Sequence, residues 1–476
     1  SSAASDVYKR QKNTYGNTVV NLRWNRIFSP KVFGNLSLIY SDYYYGLALD
    51  FVGFDWDSGI QNFNIKYDLS YNISEKITLE TGLQGTYYSF NPGYIQPLTA
   101  TSGFNSEQLQ NKFAAEASIY LSAKHDISPK LALHYGLRIN QFNRLAQSGL
   151  LEYVNAQPLN YNPALGIYQQ GTAVGYYSKA ESKQYFTNLE PRFTLAYRQE
   201  RSAWKASYQR VNQYLHLISN TTSPTPLDVW TPSGRYLKPQ QSDQWALGYV
   251  TERENGKSIE AEVFYKHTDN RYDYIDGAEL VANEAIEQIL LPGTARAYGL
   301  ELLFRKTQGK VTGMAGYTWS RAEQRTPGAR ADEPGINQGA WYRSAFDKTH
   351  DLSLSLSYNQ SKKWKWDANA VLQTGQPITY PLGQYEFMGT RVPSFGQRNG
   401  QRLPTYHRID IAATLTPAKQ QDKKIKGSWV FGIYNIYNRR NAATVSFKKD
   451  PETGKNQAYK LSIFGVIPSV TYNIRF

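Results

Sequence analysis

The sequence predicts an all-β fold, a transmembrane antiparallel up-and-down β-barrel with long extracellular loops. Apolar and polar residues alternate through about seventeen segments of roughly 10 to 17 residues each, whereas strands average about 5 to 6 residues in soluble proteins. A tilted strand needs about 9 to 11 residues to cross a bilayer. Short and long connections also alternate along the chain, which is typical of outer-membrane barrels. Both observations favour a membrane barrel over a β-sandwich or a β-propeller.

The alternating segments run from Asn17 to the end of the chain. In an early segment, Phe63 and Ile65 lie on one face of the predicted strand, and Asn64 and Lys66 lie on the other. Because successive side chains of a strand point to opposite faces, such a segment has one apolar and one polar face. The pattern recurs at 113–123, 131–140, 352–358, 409–415 and 469–476.

The connections predict how the barrel is oriented. Short turns are predicted near 29–30, 72–75, 126–129, 199–201, 254–256, 307–309, 360–362 and 418–423. Long loops are predicted near 46–58, 90–110, 146–182, 218–237, 274–293, 326–342, 378–401 and 446–459. The last strand ends on the side of the short turns, so the C-terminus is predicted to be periplasmic. Apolar residues at helical spacing between Gly277 and Leu291 also predict a short loop helix.

The composition excludes two classes of protein. The 476 residues have a mean hydropathy of −0.58 and contain no apolar run long enough for a transmembrane helix. The net charge of +14 is spread over alternating strands and turns, with no basic helix or dense basic run, so no nucleic-acid partner is expected. Aromatic residues make up 14% of the chain, including 38 Tyr. Many lie near predicted strand ends, where a lipid-headgroup girdle requires them.

The sequence contains no pattern of catalytic or metal-binding residues. The chain has no Cys, and its six His are widely spaced, so no catalytic residue, cofactor or metal is expected and the protein is not predicted to be an enzyme. One acidic cluster follows the strand at 258–272. Its members are Asp269, Asp273, Asp276, Glu279, Glu284 and Glu287. Their spacing fits no calcium-loop template, which favours a solvated loop face.

Several stretches in the C-terminal half resemble the barrel of TonB-dependent outer-membrane receptors. They are 237–249, 297–301, 347–352, 374–377, 404–410, 434–442 and the terminal Phe476. The resemblance implies a 22-stranded barrel, of which this chain would hold about 17 strands. It also implies an N-terminal plug, which the chain does not accommodate. Residues 17–476 are therefore predicted to form the barrel domain, and 1–16 a non-barrel remnant of an N-terminally truncated receptor.

The resemblance implies transport of a scarce ligand across the bacterial outer membrane, with an iron–siderophore complex, cobalamin or a glycan as the ligand class. The implied partners are outer-membrane lipid, the barrel-assembly machinery, the TonB complex through the missing N-terminal region, and the nutrient ligand. A passive porin-like channel is the alternative function, and a soluble all-β binding protein or sugar-active enzyme is a third hypothesis.

Ligand contacts are predicted from aromatic residues of the long loops, since only these loops can lean over the mouth of the pore. Aromatic side chains combine flat apolar faces with polar tips at low ordering cost. The predicted residues are Tyr161, Tyr168, Tyr176, Tyr177, Trp230, Tyr236, Trp341, Tyr380 and Tyr385. The alternative is that these rings pack one loop against another.

Overall fold

Seventeen long strands dominate the computed structural model, which describes residues 11–49, 53–97, 106–219, 229–278, 283–387, 390–417, 426–449 and 456–475. The strands are β1 (Gln11–Ser29), β2 (Val32–Leu49), β3 (Phe54–Ser74), β4 (Ile77–Pro97), β5 (Lys112–Asp126), β6 (Leu131–Arg144), β7 (Gln184–Arg198), β8 (Ser202–Gln213), β9 (Gln240–Arg253), β10 (Lys257–Tyr274), β11 (Leu290–Lys306), β12 (Val311–Arg325), β13 (His350–Asn359), β14 (Trp364–Gln373), β15 (Tyr406–Leu415), β16 (Lys426–Tyr434) and β17 (Ile467–Arg475).

Each of these strands pairs antiparallel with the next one along the chain, from β1 to β17. Two short strands, Glu107–Gln108 and Tyr342–Arg343, extend the same sheet beside β4 and β12. Over the described ranges, β1 and β17 pair only with β2 and β16. The predicted all-β, antiparallel, up-and-down architecture is confirmed.

The smaller elements lie mainly in the connections at one end of the sheet. Paired short strands are Leu151–Tyr153 with Ala173–Tyr176, Leu159–Asn162 with Ile167–Gln170, Leu215–Ile218 with Val229–Pro232, Pro377–Ile378 with Gln401–Arg402, Pro381–Phe387 with Thr390–Phe395, and Thr444–Lys449 with Asn456–Leu461. Single 3-10 turns occur at Val154–Ala156, Glu254–Gly256, Ile286–Ile289 and Ile336–Gly339. No helix within the described part of the chain is both long and apolar enough to span a membrane.

The two faces of the sheet differ as the alternation predicts. Phe63 and Ile65 are 52% and 47% exposed, whereas Asn64 between them is 8% exposed. The Asn64 side chain donates a 2.6 Å hydrogen bond to Thr86 Oγ1 on the neighbouring strand. Further along the sheet, the polar face carries cross-strand ion pairs such as that between Arg296 and Glu323. The sheet therefore has an apolar face and a hydrogen-bonded polar face.

Short and long connections alternate, with one correction near the beginning of the chain. The predicted long loop at 46–58 is wrong, because β2 and β3 continue to pair until Leu49 and Phe54. Trp56 of β3 is 1% exposed, and its ring lies against Gly93 on the neighbouring β4. Similarly, β4 continues to Pro97, so the loop predicted at 90–110 begins later. At the long-loop end, β2, β3 and β4 therefore extend further than the sequence predicts.

The loop helix predicted between Gly277 and Leu291 is much shorter than expected. Only Ile286–Ile289 forms a 3-10 turn, Leu290 begins β11, and 279–282 lie outside the described residues. Ile286 and Ile289 are nevertheless buried in a hydrophobic cluster with Leu237 and Tyr272. The apolar pattern therefore indicates residues that are buried in this cluster, and not a continuous helix.

Candidate functional site

A cavity of about 640 Å³ lies at the long-loop end of the sheet. Its wall is formed where β8, β10 and β12 give way to their loops, and it is closed by the 344–346 and 376–379 segments. The cavity lining includes Gln213, Arg271, Asp273, Gln324, Phe346 and Arg398. The volume falls within the range of small-molecule sites in proteins.

The lining of this cavity combines amide and cationic groups with one exposed aromatic ring. Phe346 is 60% exposed, although it is a large apolar side chain. A second cavity of about 490 Å³ shares Gln213, Arg271, Gln324, Ser344 and Phe346 with the first, so the two adjoin along the polar face. The second cavity adds Gln209, Gln240, Gln244 and Lys266. Together they form a hydrogen-bonding groove with positive charge, suited to a polar or anionic ligand.

One wall of the cavity is held by an ion pair between the end of β10 and the 374–405 connection. Arg398 and Asp273 are each 9% exposed, and Arg398 Nη1 donates to Asp273 Oδ1 over 2.9 Å. The same guanidinium lies 4.3 Å above the Tyr274 ring and also pairs with Asp276. Tyr342 Oη donates to the other Asp273 oxygen over 2.5 Å, and burial raises the pKa of this phenol. We call Asp273, Asp276, Tyr342 and Arg398 the loop clasp.

The base of the 374–405 connection is held by a second ion pair, of which the carboxylate is buried. Asp347 is 2% exposed and accepts from Arg402 Nη2. Arg402 Nη1 also donates to the Gly375 carbonyl oxygen over 2.8 Å. A buried carboxylate with several donors is the arrangement expected where a charge must be compensated. The connection is therefore anchored at both the clasp and its base.

A buried histidine lies beside the cavity on the Leu215–Ile218 strand. His216 is 1% exposed, its Nε2 lies 2.9 Å from Ser233 Oγ, and Gln240 Nε2 lies 3.2 Å from its Nδ1. Burial, assisted by the charge of Arg271, lowers the pKa of His216 to about 4. If Gln240 donates to Nδ1, then Nε2 carries the proton and donates to Ser233. This arrangement holds a neutral imidazole between two loop strands.

The nine aromatic residues predicted to bind ligand do not form one surface. Tyr161 and Tyr168 face each other across a loop hairpin, with ring centroids 5.2 Å apart. Tyr168 Oη accepts from the Gly335 amide over 3.0 Å, so this hairpin packs on the 326–349 connection. Trp230 packs against the buried cluster that contains Phe142. These rings join one loop to another or to the wall.

Four other predicted residues lie in two places. Tyr176, Tyr177 and Tyr236 lie close to one another, and the Arg235 guanidinium is 4.0 Å above the Tyr177 ring. Arg296 lies 4.1 Å above Trp341.

Two further predicted rings belong to more distant hairpins. Tyr380 contacts Phe447 edge to face at 5.1 Å, and Tyr385 is 56% exposed on the Pro381–Phe387 strand. None of the nine predicted residues lines the 640 Å³ cavity. Their role in ligand binding stays a prediction.

The architecture agrees with the protein family that the sequence matches. A family model described as "TonB dependent receptor-like, beta-barrel" matches residues 2–436. The chain belongs to this family. The family is one of receptors in the bacterial outer membrane, so the TonB-dependent receptor-like barrel predicted from the sequence is confirmed.

Solved TonB-dependent receptors have similar structures. The ferric-catecholate import receptor Fiu from E. coli K12 has a TM-score of 0.61 and 11% identity, over 98% of this chain and 65% of Fiu. BauA, the ferric preacinetobactin receptor from Acinetobacter baumannii, has a TM-score of 0.59 and 12% identity, over 97% and 63% of the two chains. FyuA, the ferric yersiniabactin uptake receptor from Yersinia pestis, gives 0.58 and 12%, over 98% and 62%.

These similarities show that the receptor-like barrel shares its fold with known siderophore receptors. The chain spans less than two thirds of the length of each of those three proteins. No curated protein sequence matches it. The similarities concern the fold, and they do not identify a ligand for this chain.

The acidic cluster of the receptor-like barrel is largely engaged in structure. Asp273 and Asp276 bind Arg398, and Glu287 Oε1 accepts from Tyr153 Oη over 3.1 Å. Glu279 lies outside the described residues. Sequence inspection missed the loop clasp because Arg398 is 125 positions from Asp273.

Proposed function

We propose that this chain forms the barrel wall of a TonB-dependent transporter that takes up a scarce ligand through the outer membrane. The observation that carries the proposal is the 640 Å³ cavity at the long-loop end, with Arg271, Phe346 and several amide side chains in its lining. A cavity between loops that combines apolar, amide and cationic side chains is suited to capture a ligand from dilute solution.

The proposed orientation places the long loops outside the cell and the C-terminus in the periplasm. The alternation of short and long connections supports it, because outer-membrane barrels keep their short turns on the periplasmic side. The apolar face of the sheet would contact lipid. The barrel-assembly machinery would insert the chain, and the TonB complex would supply energy through an N-terminal region of the receptor.

Among the ligand classes, an iron–siderophore complex has the most support. Fiu, BauA and FyuA are described as receptors for ferric-catecholate, ferric preacinetobactin and ferric yersiniabactin. Many ferric siderophores are anionic, and Arg271 offers a cation in the cavity wall. Cobalamin and glycans are the other ligand classes considered. The rival function is a passive porin-like channel, for which a polar, charged wall is equally suitable.

The test is energy-dependent uptake by cells that express the protein from its complete gene. Cells lacking the gene, complemented cells and complemented cells treated with a protonophore would be compared for uptake of radiolabelled ferric siderophores. We expect uptake that requires both the gene and the proton gradient. Uptake that is unaffected by the protonophore and does not saturate would instead indicate a passive channel.

A cavity variant makes the test specific to this site. Arg271→Gln should weaken binding of an anionic ligand by about 1.5–3 kcal/mol, the usual contribution of a hydrogen bond to a charged group. Arg253→Gln, at the exposed short-turn end of β9, removes the same charge and serves as the control. Equal uptake by both variants would contradict ligand binding in this cavity.

A further inference from the structure

Two cationic side chains are buried next to each other at the long-loop end. Lys112 is the first residue of β5 and is 8% exposed, and Arg144 is the last residue of β6 and is 7% exposed. Arg144 is in register with Ala114, two positions after Lys112. Since residues two apart share a face, both side chains lie on the polar face of the sheet. They are close enough to repel each other electrostatically.

Neither cation is neutralised by a described carboxylate within 4.0 Å. Lys112 Nζ donates to Thr231 Oγ1 over 3.3 Å, and Arg144 Nη2 donates to Gln147 Oε1. Arg144 Nη1 is buried and has no hydrogen-bond partner within the part of the chain that the structure describes. Glu284 and Glu287 attract Lys112 from beyond 4.0 Å, and Glu287 also attracts Arg144.

This arrangement is unfavourable as it stands. Burying one charge without a partner is costly, and burying two like charges side by side adds their repulsion. An unsatisfied guanidinium N–H adds the desolvation cost of that donor. A bound oxyanion would remove all three costs, because it neutralises both charges and accepts hydrogen bonds from both side chains.

A cavity of about 120 Å³ borders the two cations. Its wall also includes the amide of Gln147, the hydroxyl of Thr231 and a third cation, Arg235. Glu284 and Glu287 line the cavity too, so its charged side chains are three cations and two carboxylates. Since a water molecule occupies about 30 Å³ in the liquid, the space holds a few water-sized groups and suits a small tetrahedral anion. The lining of this cavity and that of the 640 Å³ cavity have no residue in common.

We propose that Lys112 and Arg144 form a binding site for a small oxyanion of the phosphate or sulfate type. The bound anion connects β5 and β6 to the Val229–Pro232 strand and to the turn at Ile286–Ile289, whose residues border the same cavity. It thereby stabilises the loop layer. The inference rests on these buried charges and does not depend on the transport function proposed above.

The test is binding of inorganic phosphate and sulfate to the purified protein from its complete gene. Titration calorimetry and thermal unfolding would be measured at constant ionic strength, with chloride as the reference anion. We expect saturable binding and a higher unfolding temperature with phosphate or sulfate. Absence of saturable binding of either anion to the wild-type protein would overturn the proposal.

Variants link the binding to these two residues. Lys112→Met and Arg144→Met should each weaken phosphate binding about tenfold or more, because each removes a charge-assisted contact. Lys179→Met removes an exposed charge from the neighbouring 145–183 connection and should bind as the wild type does. Unchanged affinity in both Met variants would assign the anion to another site and overturn the inference.

Two further measurements apply if a Met variant does not assemble. Arg144→Lys keeps the charge but loses the planar fork, so it should fold and bind more weakly. A short-chain phosphatidic acid, compared with inorganic phosphate, distinguishes the two sources of a phosphate group. Preference for the free ion supports the enclosed site described here, and displacement of phosphate by the lipid would assign the same residues to a headgroup.

Discussion

Arg398 Nη1 donates to Asp273 Oδ1 over 2.9 Å across 125 positions of the sequence, and both side chains are 9% exposed. The pair joins the 374–405 connection to the end of β10. Reciprocal hydrogen bonds between Asn337 and the Arg398 backbone add the 326–349 connection. Three separate segments at the rim of the cavity are therefore held at one point.

Removing the charge of Arg398 should release these segments without disturbing the sheet. Breaking a buried ion pair by deleting one partner costs about 3–5 kcal/mol, because the remaining charge is left unpaired. In Arg398→Met we expect faster amide hydrogen exchange at 336–343 and 396–402. Exchange within β10 and β12, on the N-terminal side of Tyr274 and Arg325, should be unchanged. Exchange measured by mass spectrometry on the detergent-solubilised protein checks this.

Arg201→Met is the matched control for the clasp variant. Arg201 pairs with Glu254, but the two side chains are 64% and 77% exposed at the short-turn end. Exposed pairs contribute about 0–1 kcal/mol. If Arg398→Met and Arg201→Met change exchange equally little, the clasp does not hold the loops.

His216 should make the loop layer sensitive to acid. Its pKa of about 4 in the folded protein lies below the usual value of 6.5, so the neutral form is favoured by folding. Above pH 6.5 the buried neutral His216 costs no stability. As the pH falls from 6.5 towards 4, the unfolded chain binds a proton that the folded chain does not, and the free energy of unfolding decreases. The loss is about 3 kcal/mol at about 1.4 kcal/mol for each pH unit of the shift from 6.5 to about 4.

The measurement is hydrogen exchange of Leu215–Ile218 and Val229–Pro232 as a function of pH, corrected for intrinsic exchange rates. In the wild type, protection of both strands should fall between pH 6.5 and 4. In His216→Gln this dependence should disappear, whereas the exposed-residue variant His134→Gln should behave as the wild type does. A pH dependence that survives in His216→Gln would show that another group is responsible.

The sheet could be predicted from the sequence because strand alternation is a local and repeated signal. Phe63, Asn64 and Ile65 already identify two faces, and the structure assigns the burial accordingly. The β2–β3 hairpin was missed because Gly and Asp near 46–58 suggest a loop. Cross-strand pairing up to Leu49 and Phe54, with Trp56 of β3 buried against Gly93 of β4, overrides that local preference.

The cavity could not be predicted in the same way. Contacts between loops have no periodicity, so Asp273 and Arg398 carry no mutual signal in a single sequence. Tyr168 and Trp230 are predicted ligand contacts, and in the structure they also pack against Gly335 and the Phe142 cluster. Chemical type alone does not distinguish a ring that binds ligand from one that supports a loop.

The membrane assignment of the apolar face can be tested on β13. Leu354 is opposite Ala315 and Ala370, whereas Ser355 is opposite Met314 and Asn369 on the other face. Leu354→Arg should destabilise the folded protein in lipid by about 2–4 kcal/mol if this face contacts the bilayer near its midplane. Ser355→Arg should cost little. Reversible unfolding in phospholipid vesicles provides the measurement, and equal costs at the two positions would contradict a lipid-facing Leu354.

The 145–183 connection offers the sharpest test of the loops as a ligand-binding surface. It contains two hairpins and the predicted contacts Tyr161, Tyr168, Tyr176 and Tyr177. Its Tyr153 Oη donates to Glu287 on a neighbouring connection over 3.1 Å, so it also supports other loops.

Deletion of 146–182 from the protein encoded by the complete gene should abolish ligand binding and leave barrel assembly intact. A short Ser-Gly linker in place of the deleted segment would join β6 and β7, which pair along their whole length from Arg144 and Gln184 onward. Loops contribute little to the pairing of the strands that they connect, so the sheet should tolerate the deletion. Assembly is measured by heat-modifiable migration in gels, and binding by uptake of radiolabelled ligand.

A point variant separates loop support from direct ligand contact. Tyr168→Phe removes the oxygen that accepts from Gly335 but keeps the ring. If Tyr168 only supports the neighbouring loop, this variant should weaken binding as strongly as Tyr168→Ala. If the ring itself contacts the ligand, Tyr168→Phe should retain most of the affinity that Tyr168→Ala loses. Unchanged affinity after separate deletion of 146–182, 218–237, 326–342 and 378–401 would contradict ligand binding by the long loops altogether.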